Sequence, residues 1–362
     1  MIKMKRLNPE VYFADQPIVA IGSEEIEFLQ SQVESTERKR TRLCAHRSPE
    51  ESLHEMFVVY TGSTYMRPNK HPKEESLHIL KGYADFVFFD QQGDVTDVLQ
   101  LGEPSSGRPF YCRVPRDTYH TVIMRSESLV IHEGLSGPFR PDNTTVFAPW
   151  APAEGDLPGV RKFSERVEAE VARHLIGRNP ALLCVVRQSP EVFISNEPVG
   201  RFGQNEMAFL LKALSHAPRR RVRICMHDNV ENRFQEMFIM FSRGAYLAAS
   251  KHLGKDESVD VVEGKADLVL FDEAGNITNV ISVGDPSTRL PFYFRTPRER
   301  YHAWIVRSNV FTVHETTEGP FRREDTIFAP WSPGDVNDPV AVPAYQEQLE
   351  QQTGEFIKRQ AG

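Results

Sequence analysis

Several common functional signatures are missing from this sequence. The four cysteines, Cys44, Cys112, Cys184 and Cys225, show no CxxC spacing. That excludes a zinc knuckle and offers no disulfide framework, so buried reduced thiols are expected. No run approaches the roughly 18 apolar residues that suggest a membrane span. The amino-terminal stretch MIKMKRLNPEVYFADQP lacks the apolar core of a secretory signal. A cytoplasmic protein is the expectation. Neither sign of charge dominates, with 43 Lys and Arg against 50 Asp and Glu. The net charge of -7 is mixed along the chain and gives no electrostatic footprint for nucleic acid or an anionic membrane. A Walker loop, a GxSxG elbow and a dinucleotide GxGxxG turn are all absent.

What the sequence does contain is a repeat. NPEVYFADQP from Asn8 matches SPEVFISNEP from Ser189, RLCAH from Arg42 matches RICMH from Arg223, and HEMFVVY from His54 matches QEMFIMF from Gln235, each pair 181 residues apart. One inserted residue after His252 precedes the match of PFYCRVPRDTYH, ending at His120, with PFYFRTPRERYH, ending at His302. FAPWAP and FAPWSP, carrying Trp150 and Trp331, close the two copies. Unit one runs from about Asn8 to Pro152 and unit two from about Ser189 to Pro333. With 362 residues, two domains of ordinary size are accommodated.

Within each unit a helical stripe comes first, through Ile26, Leu29 and Val33 or Phe209, Leu210 and Leu214. Short runs of β-branched and aromatic residues follow, with turn-forming breaks between them, as expected of a β-sandwich or barrel. Asp90-Gln91-Gln92-Gly93 and Asp272-Glu273-Ala274-Gly275 have the composition of hairpin turns with glycine available for positive φ. Helical stripes also follow each copy, through Val160, Phe163, Val167, Val171 and Leu175, and through Tyr345, Leu349 and Phe356. These are expected to pack across the two barrels.

Unit one contains His71, Glu75, Gly82 and, later, His120; unit two repeats them as His252, Glu257, Gly264 and His302. This set resembles the two motifs of the cupins. Together with RLCAH, EMF, HE, GPF and FAPWAP it is similar to the WbuC family of cupin-fold metalloproteins. The resemblance implies a mainly β chain of two tandem cupin (jelly-roll β-barrel) domains with short helices. The expected layout is a first cupin over 1–158, a helical linker over 159–180, a second cupin over 181–335 and a terminal helix over 336–362. It also implies one divalent metal ion per barrel.

The sequence departs from the family where its first motif histidine is Asn69 in unit one and Ser250 in unit two. Two histidines and a carboxylate remain in each barrel. That is also the ligand set of many non-haem iron(II) oxygenases, which favours Fe(II) over Zn, Mn or Ni. Asn69 can supply an amide oxygen, whereas serine is a poorer ligand, so unit one is the stronger metal candidate.

Arg42, Cys44 and His46 alternate onto one strand face, as do Arg223, Cys225 and His227. His46 and His227 are candidate fourth ligands, or core histidines held by a backbone carbonyl. Glu55 and Tyr65 are candidates for moving protons, and Arg42 and Arg125, with Arg223 and Arg307, for holding an anionic substrate. His132-Glu133 and His314-Glu315 do not fit HExxH and suit support of the site or packing. The reading that follows is a metal-dependent bicupin enzyme acting on a small polar, anionic metabolite, with oxygenase chemistry slightly ahead of isomerase or lyase chemistry. Its rival is a non-catalytic sugar or nucleotide-sugar binding cupin with a vestigial site. A small molecule is the expected partner, neither nucleic acid nor membrane is, and a homodimer is left open.

Overall fold

A computed structural model describes residues 1–62, 64–140, 144–176, 183–334 and 338–361. Among them the chain is mainly β, with two larger and two smaller sheets and four helices. The larger sheet of unit one runs Met4–Asn8, Val11–Ala14, Arg40–Cys44, Leu53–Thr61, Ser128–Ser136, Glu75–Lys81, Tyr111–Val114 and then Gly200–Phe202. Facing it is the smaller sheet Val146–Phe147, Asn69–Lys70, Tyr119–Met124, Tyr83–Phe89 and Val95–Gly102. Unit two repeats both sheets.

The last strand of each larger sheet corrects the expectation of two self-contained barrels. Gly200–Phe202, from unit two, pairs antiparallel with Tyr111–Val114, matching Tyr111 to Phe202 and Arg113 to Gly200. In return Val19–Ile21, from unit one, pairs with Tyr293–Thr296, matching Tyr293 to Ile21 and Arg295 to Val19. Each unit therefore completes the other's edge, which removes an open edge that would otherwise present unpaired backbone groups. The exchanged strands are anchored by side chains: Phe202 and Ile21 are fully buried, and Phe202 stacks on Phe238 at 3.6 Å between ring centres.

The helices occupy two kinds of place. α1 (Ser23–Val33) and α3 (Gln204–Leu214) follow the exchanged strands and bury Ile26, Leu29 and Val33, or Leu210 and Leu214. α2 (Leu157–Leu175) and α4 (Ala341–Ala361) do not bridge the barrels as expected. Each covers the outer face of its own unit's smaller sheet. Val167 and Val171 of α2 pack with Val87, Phe89 and Val98, and Leu349 of α4 packs with Val269 and Phe271. Burying a valine is worth about 1.5–3 kcal/mol, enough to hold such a stripe in place. The helix expected to link the units ends at Leu175; the boundaries at 180/181 and 335/336 lie outside the described residues.

The hairpin turns are as their composition suggests. Gly93 and Gly275 have φ of +92° and +90°, and a Cβ on either would meet the Trp150 or Trp331 ring of the FAPW segment. Asp90 Oδ1 accepts from the N–H groups of Gln92, Gly93 and Asp94 at 2.8 to 2.9 Å. No helix among the described residues is long and apolar enough to cross a membrane.

Candidate metal centres

Side chains alternate along a strand, so adjacent residues serve opposite faces. On Glu75–Lys81, Leu77 and Ile79 join the apolar interior of the first barrel, and Glu75 shares their parity. His120 stands opposite Asn69 in register, two residues before His71. These placements bring His71, Glu75 and His120 together, with one ligand atom from each lying within 4.8 Å of the others. His252, Glu257 and His302 converge in the same way in the second barrel.

The first set is preorganised. Glu75 Oε2 lies 3.5 Å from His71 Nε2 and 3.2 Å from His120 Nε2. The opposite nitrogens face backbone carbonyls: His71 Nδ1 is 2.6 Å from Thr144 O, and His120 Nδ1 is 3.0 Å from Thr118 O. A ring that donates Nδ1–H outward turns an Nε2 lone pair inward, the usual arrangement of a metal-binding histidine. Asn69 Nδ2 donates to Arg67 O at 3.2 Å, while its buried Oδ1 has no hydrogen-bond partner. A buried amide oxygen left without a donor carries a desolvation cost that a cation would relieve. The donor set present thus fits a divalent ion.

Electrostatics agree with a site built around charge. Burial alone would raise the Glu75 carboxyl, but His71 and His120 overcome it and hold the group down at about 2. Glu133, the neighbour of His132, lies against Glu75. Burial first, and the Glu75 charge second, push its carboxyl up to about 8. Glu315 repeats this beside Glu257 and is pushed up to about 7. The sequence reading left these two glutamates among supporting residues. What marks them is strand parity: His132 and Glu133 are consecutive and must face opposite ways.

Other sequence candidates fall elsewhere. His46 and His227 are not among the converging ligands. His46 Nδ1 lies 3.0 Å from Glu55 O and 3.2 Å from Glu55 N, and its ring stacks on His54. Burial drives His46 down to about 2, so it stays neutral. His227 is held likewise by Glu236, and burial lowers it to about 4. Both match the core alternative. Glu55 faces the other unit and accepts from Tyr293 at 2.9 Å and Arg295 at 3.1 Å. Tyr65 donates to Pro152 O at 3.2 Å, tying down the end of unit one.

Arg125 lies on the outer face of the smaller sheet, where Asp85 at 2.8 Å and Glu168 at 2.8 Å occupy it. It lines a surface cavity of about 490 Å³ with Tyr83, Gln100, Ser106 and Arg108, apart from the triad. Arg307 is placed similarly, on Asp267 at 2.8 Å. Arg42, by contrast, shares the barrel-facing side with Cys44 and Met56, and its charge acts on Glu133. Arg223 bears on Glu315 in the same way.

Comparison with known proteins bears on the fold. The profile of a family described as a domain of unknown function (DUF6016) matches residues 21–101 and 202–283, one stretch in each unit. No curated protein matches the chain. The salicylate 1,2-dioxygenase of Pseudaminobacter salicylatoxidans superposes with a TM-score of 0.52 at 13% identity, over 84% of this chain and 85% of that one. A variant of that enzyme in complex with gentisate superposes with a TM-score of 0.54 at 13% identity, over 84% and 83%. At that identity the likeness speaks for architecture alone, and with the duplicated sheets described above it shows a bicupin fold.

Proposed function

We propose that this chain is a metal-dependent bicupin enzyme, WbuC-like in its motifs, whose first barrel binds a divalent ion through His71, Glu75 and His120 with the Asn69 amide oxygen beside them. The observation that carries the reading is the outward anchoring of both Nδ1 atoms on backbone carbonyls, which directs two Nε2 atoms at one carboxylate. A bound ion would supply Lewis acidity and, if ferrous, redox chemistry toward dioxygen. Arg42, on the barrel-facing side, is suited to hold the carboxylate or phosphate of a small anionic substrate. Glu133 holds a proton beside Glu75 and can pass it to a developing anion. The barrel walls of Leu77, Ile79, Phe86 and Phe88 exclude water around those groups.

Oxygen-dependent chemistry ranks slightly ahead of isomerase or lyase chemistry because of the two-histidine, one-carboxylate set and the fold shared with a salicylate 1,2-dioxygenase. We take the two cupin units to span about 1–158 and 181–335, each lending one short strand to the other's barrel, the location to be cytoplasmic, and a homodimer to be compatible with the chain. The test is anaerobic reconstitution with Fe(II), then metal analysis and dioxygen uptake with gentisate and salicylate as first anionic probes. Uptake that requires both iron and probe is the expected result. A protein that binds no metal would support the sugar-binding alternative, and one that binds metal but consumes no dioxygen with any anionic probe would favour isomerase or lyase chemistry.

A further inference from the structure

The residues that point away from the barrels form a third cluster. His78 and His132 are paired in register across strands Glu75–Lys81 and Ser128–Ser136. Asp260 and His314 are paired across Glu257–Glu263 and Val310–Glu318. The repeat relates His78 to Asp260 and His132 to His314, so the pairs face one another across the seam between the units. All four are 2 to 4% exposed, and one ligand atom from each lies within 4.8 Å of the rest.

Their polar atoms are poorly satisfied. Neither nitrogen of His78 has a hydrogen-bond partner, and its nearest carboxylate oxygen, Asp260 Oδ2, is 3.6 Å away. His314 Nδ1 also has none. Asp260 Oδ2 is in ion-pair contact with His132 Nδ1, and Oδ1 is unpartnered. Leaving so many buried polar atoms unpaired is costly, and native interiors rarely do so without an ion or water.

The outward nitrogens supply a second observation. His132 Nε2 lies 3.4 Å from Glu55 Oε1, and His314 Nε2 lies 3.1 Å from Glu236 Oε1. Both glutamates are wholly buried, and each is fixed by a tyrosine and an arginine: Glu55 by Tyr293 and Arg295, Glu236 by Tyr111 and Arg113. Phe57 and Phe238 stack on the two imidazoles at 4.7 and 4.6 Å. A carboxylate that orients an imidazole while the other nitrogen faces a cluster is the outer shell of a histidine metal site.

We propose that His78, His132, His314 and Asp260 form a third, interfacial metal site, taking a tetrahedral divalent ion such as Zn2+ and joining the two barrels. Three imidazole nitrogens and one carboxylate oxygen, with bonds of about 2.0 to 2.2 Å, make a closed four-coordinate set. Such a set requires ligand separations of about 3.4 Å, so the four side chains draw inward on binding. With no open position and full burial, the ion would be structural.

The test uses the full chain with both barrel sets removed by His71→Ala, His120→Ala, His252→Ala and His302→Ala. After loading with Zn2+ and dialysis this variant should retain about one zinc per chain, and adding His78→Ala with His314→Ala should abolish it. A quadruple variant that retains no zinc overturns the proposal. Should it not fold, anomalous diffraction at the zinc edge from wild-type crystals grown with Zn2+ decides. A peak between the four side chains is expected, and its absence there means that a metal-free His132–Asp260 ion pair fills the seam.

Discussion

The two barrels bring together the same three candidate ligands, yet they hold them differently. In the first, His71 Nδ1 meets a carbonyl at 2.6 Å, an acceptor that fixes the tautomer. In the second, His252 Nδ1 meets the Thr326 hydroxyl at 3.3 Å, which can donate or accept and so fixes nothing. His252 is also the more open, with a side chain 26% exposed against 14% for His71. Its Nε2 sits 3.0 Å from Glu257 Oε2, and although burial opposes the charge, Glu257 outweighs it and raises His252 to about 9. A metal binding there must first displace that proton, which makes binding pH-dependent. The two sets thus differ in how their first histidine is held, whereas His120 and His302 are anchored alike on backbone carbonyls at 3.0 and 3.1 Å, and Asn69 against Ser250 adds to the difference.

The sharpest way to break this comparison is to disable each barrel in turn. His71→Ala with His120→Ala should remove metal from the first barrel and lower turnover by about a thousandfold or more, since an open site would lose two of its three protein ligands. His252→Ala with His302→Ala should leave turnover within a few fold of wild type and act mainly on stability. Metal content and turnover of the two double variants check this. Loss of activity only with the second pair would reverse the assignment of the working barrel.

A smaller difference is expected at the seam, where each unit sends one arginine into the other. Arg295 binds Glu51 at 2.9 Å, Glu55 at 3.1 Å, Leu53 O at 3.1 Å and Asp256 at 2.6 Å. Arg113 binds Glu236 and Phe234 O closely but has only a 3.4 Å contact to Asn232 and a 3.7 Å approach to Glu74. Removing one partner of a buried ion pair leaves the other charge stranded, at a cost of about 3–5 kcal/mol. Arg295→Met should therefore destabilise more than Arg113→Met, because Arg295 has more close partners at the seam. Urea midpoints at pH 7 give the comparison, and equal midpoints would mean that the units share the seam evenly.

How far the sequence could be read follows from what a linear pattern encodes. Repeat spacing, glycine at the hairpins and the pairing of His71 with Glu75 are local, and local order carries them. Parity is local too, and it could have separated His132 from Glu133 and Glu55 from Met56. It says which residues share a face without saying which face meets the barrel and which meets the other unit. The exchange of Val19–Ile21 and Gly200–Phe202 is beyond such reading, since three-residue strands leave little signature and their partners lie in the other unit. That exchange creates the seam, which is why Glu55 resembled a barrel residue and His78 resembled nothing in particular. Arg125 was misplaced for a related reason: its partner Glu168 sits on a helix whose docking face the stripe alone could not assign.

The smallest expected difference lies at the start of each unit, where Glu10 and Glu191 occupy equivalent positions. Glu10 meets Arg38 at 2.9 Å and Arg40 at 3.5 Å. Glu191 meets the Arg219 side chain at 2.5 Å and also accepts from its backbone N–H at 2.9 Å. Burial would raise both carboxyls, but the arginines, and for Glu191 the N–H, prevail and lower them. A folded-state value below the unfolded one contributes stability that is fully present above the unfolded value, near 4.5, and is lost as pH falls through the folded value. The arginines are 49% and 42% exposed, so solvent screening limits each pair to less than about 1 kcal/mol. Glu191→Gln should lower the urea midpoint at pH 7 slightly more than Glu10→Gln, because it also weakens acceptance of a backbone N–H. At pH 3, which lies below the unfolded value, both deficits should shrink. A deficit for Glu191→Gln that stays constant from pH 7 to pH 3 would show that packing, and not the ion pair, distinguishes the two positions.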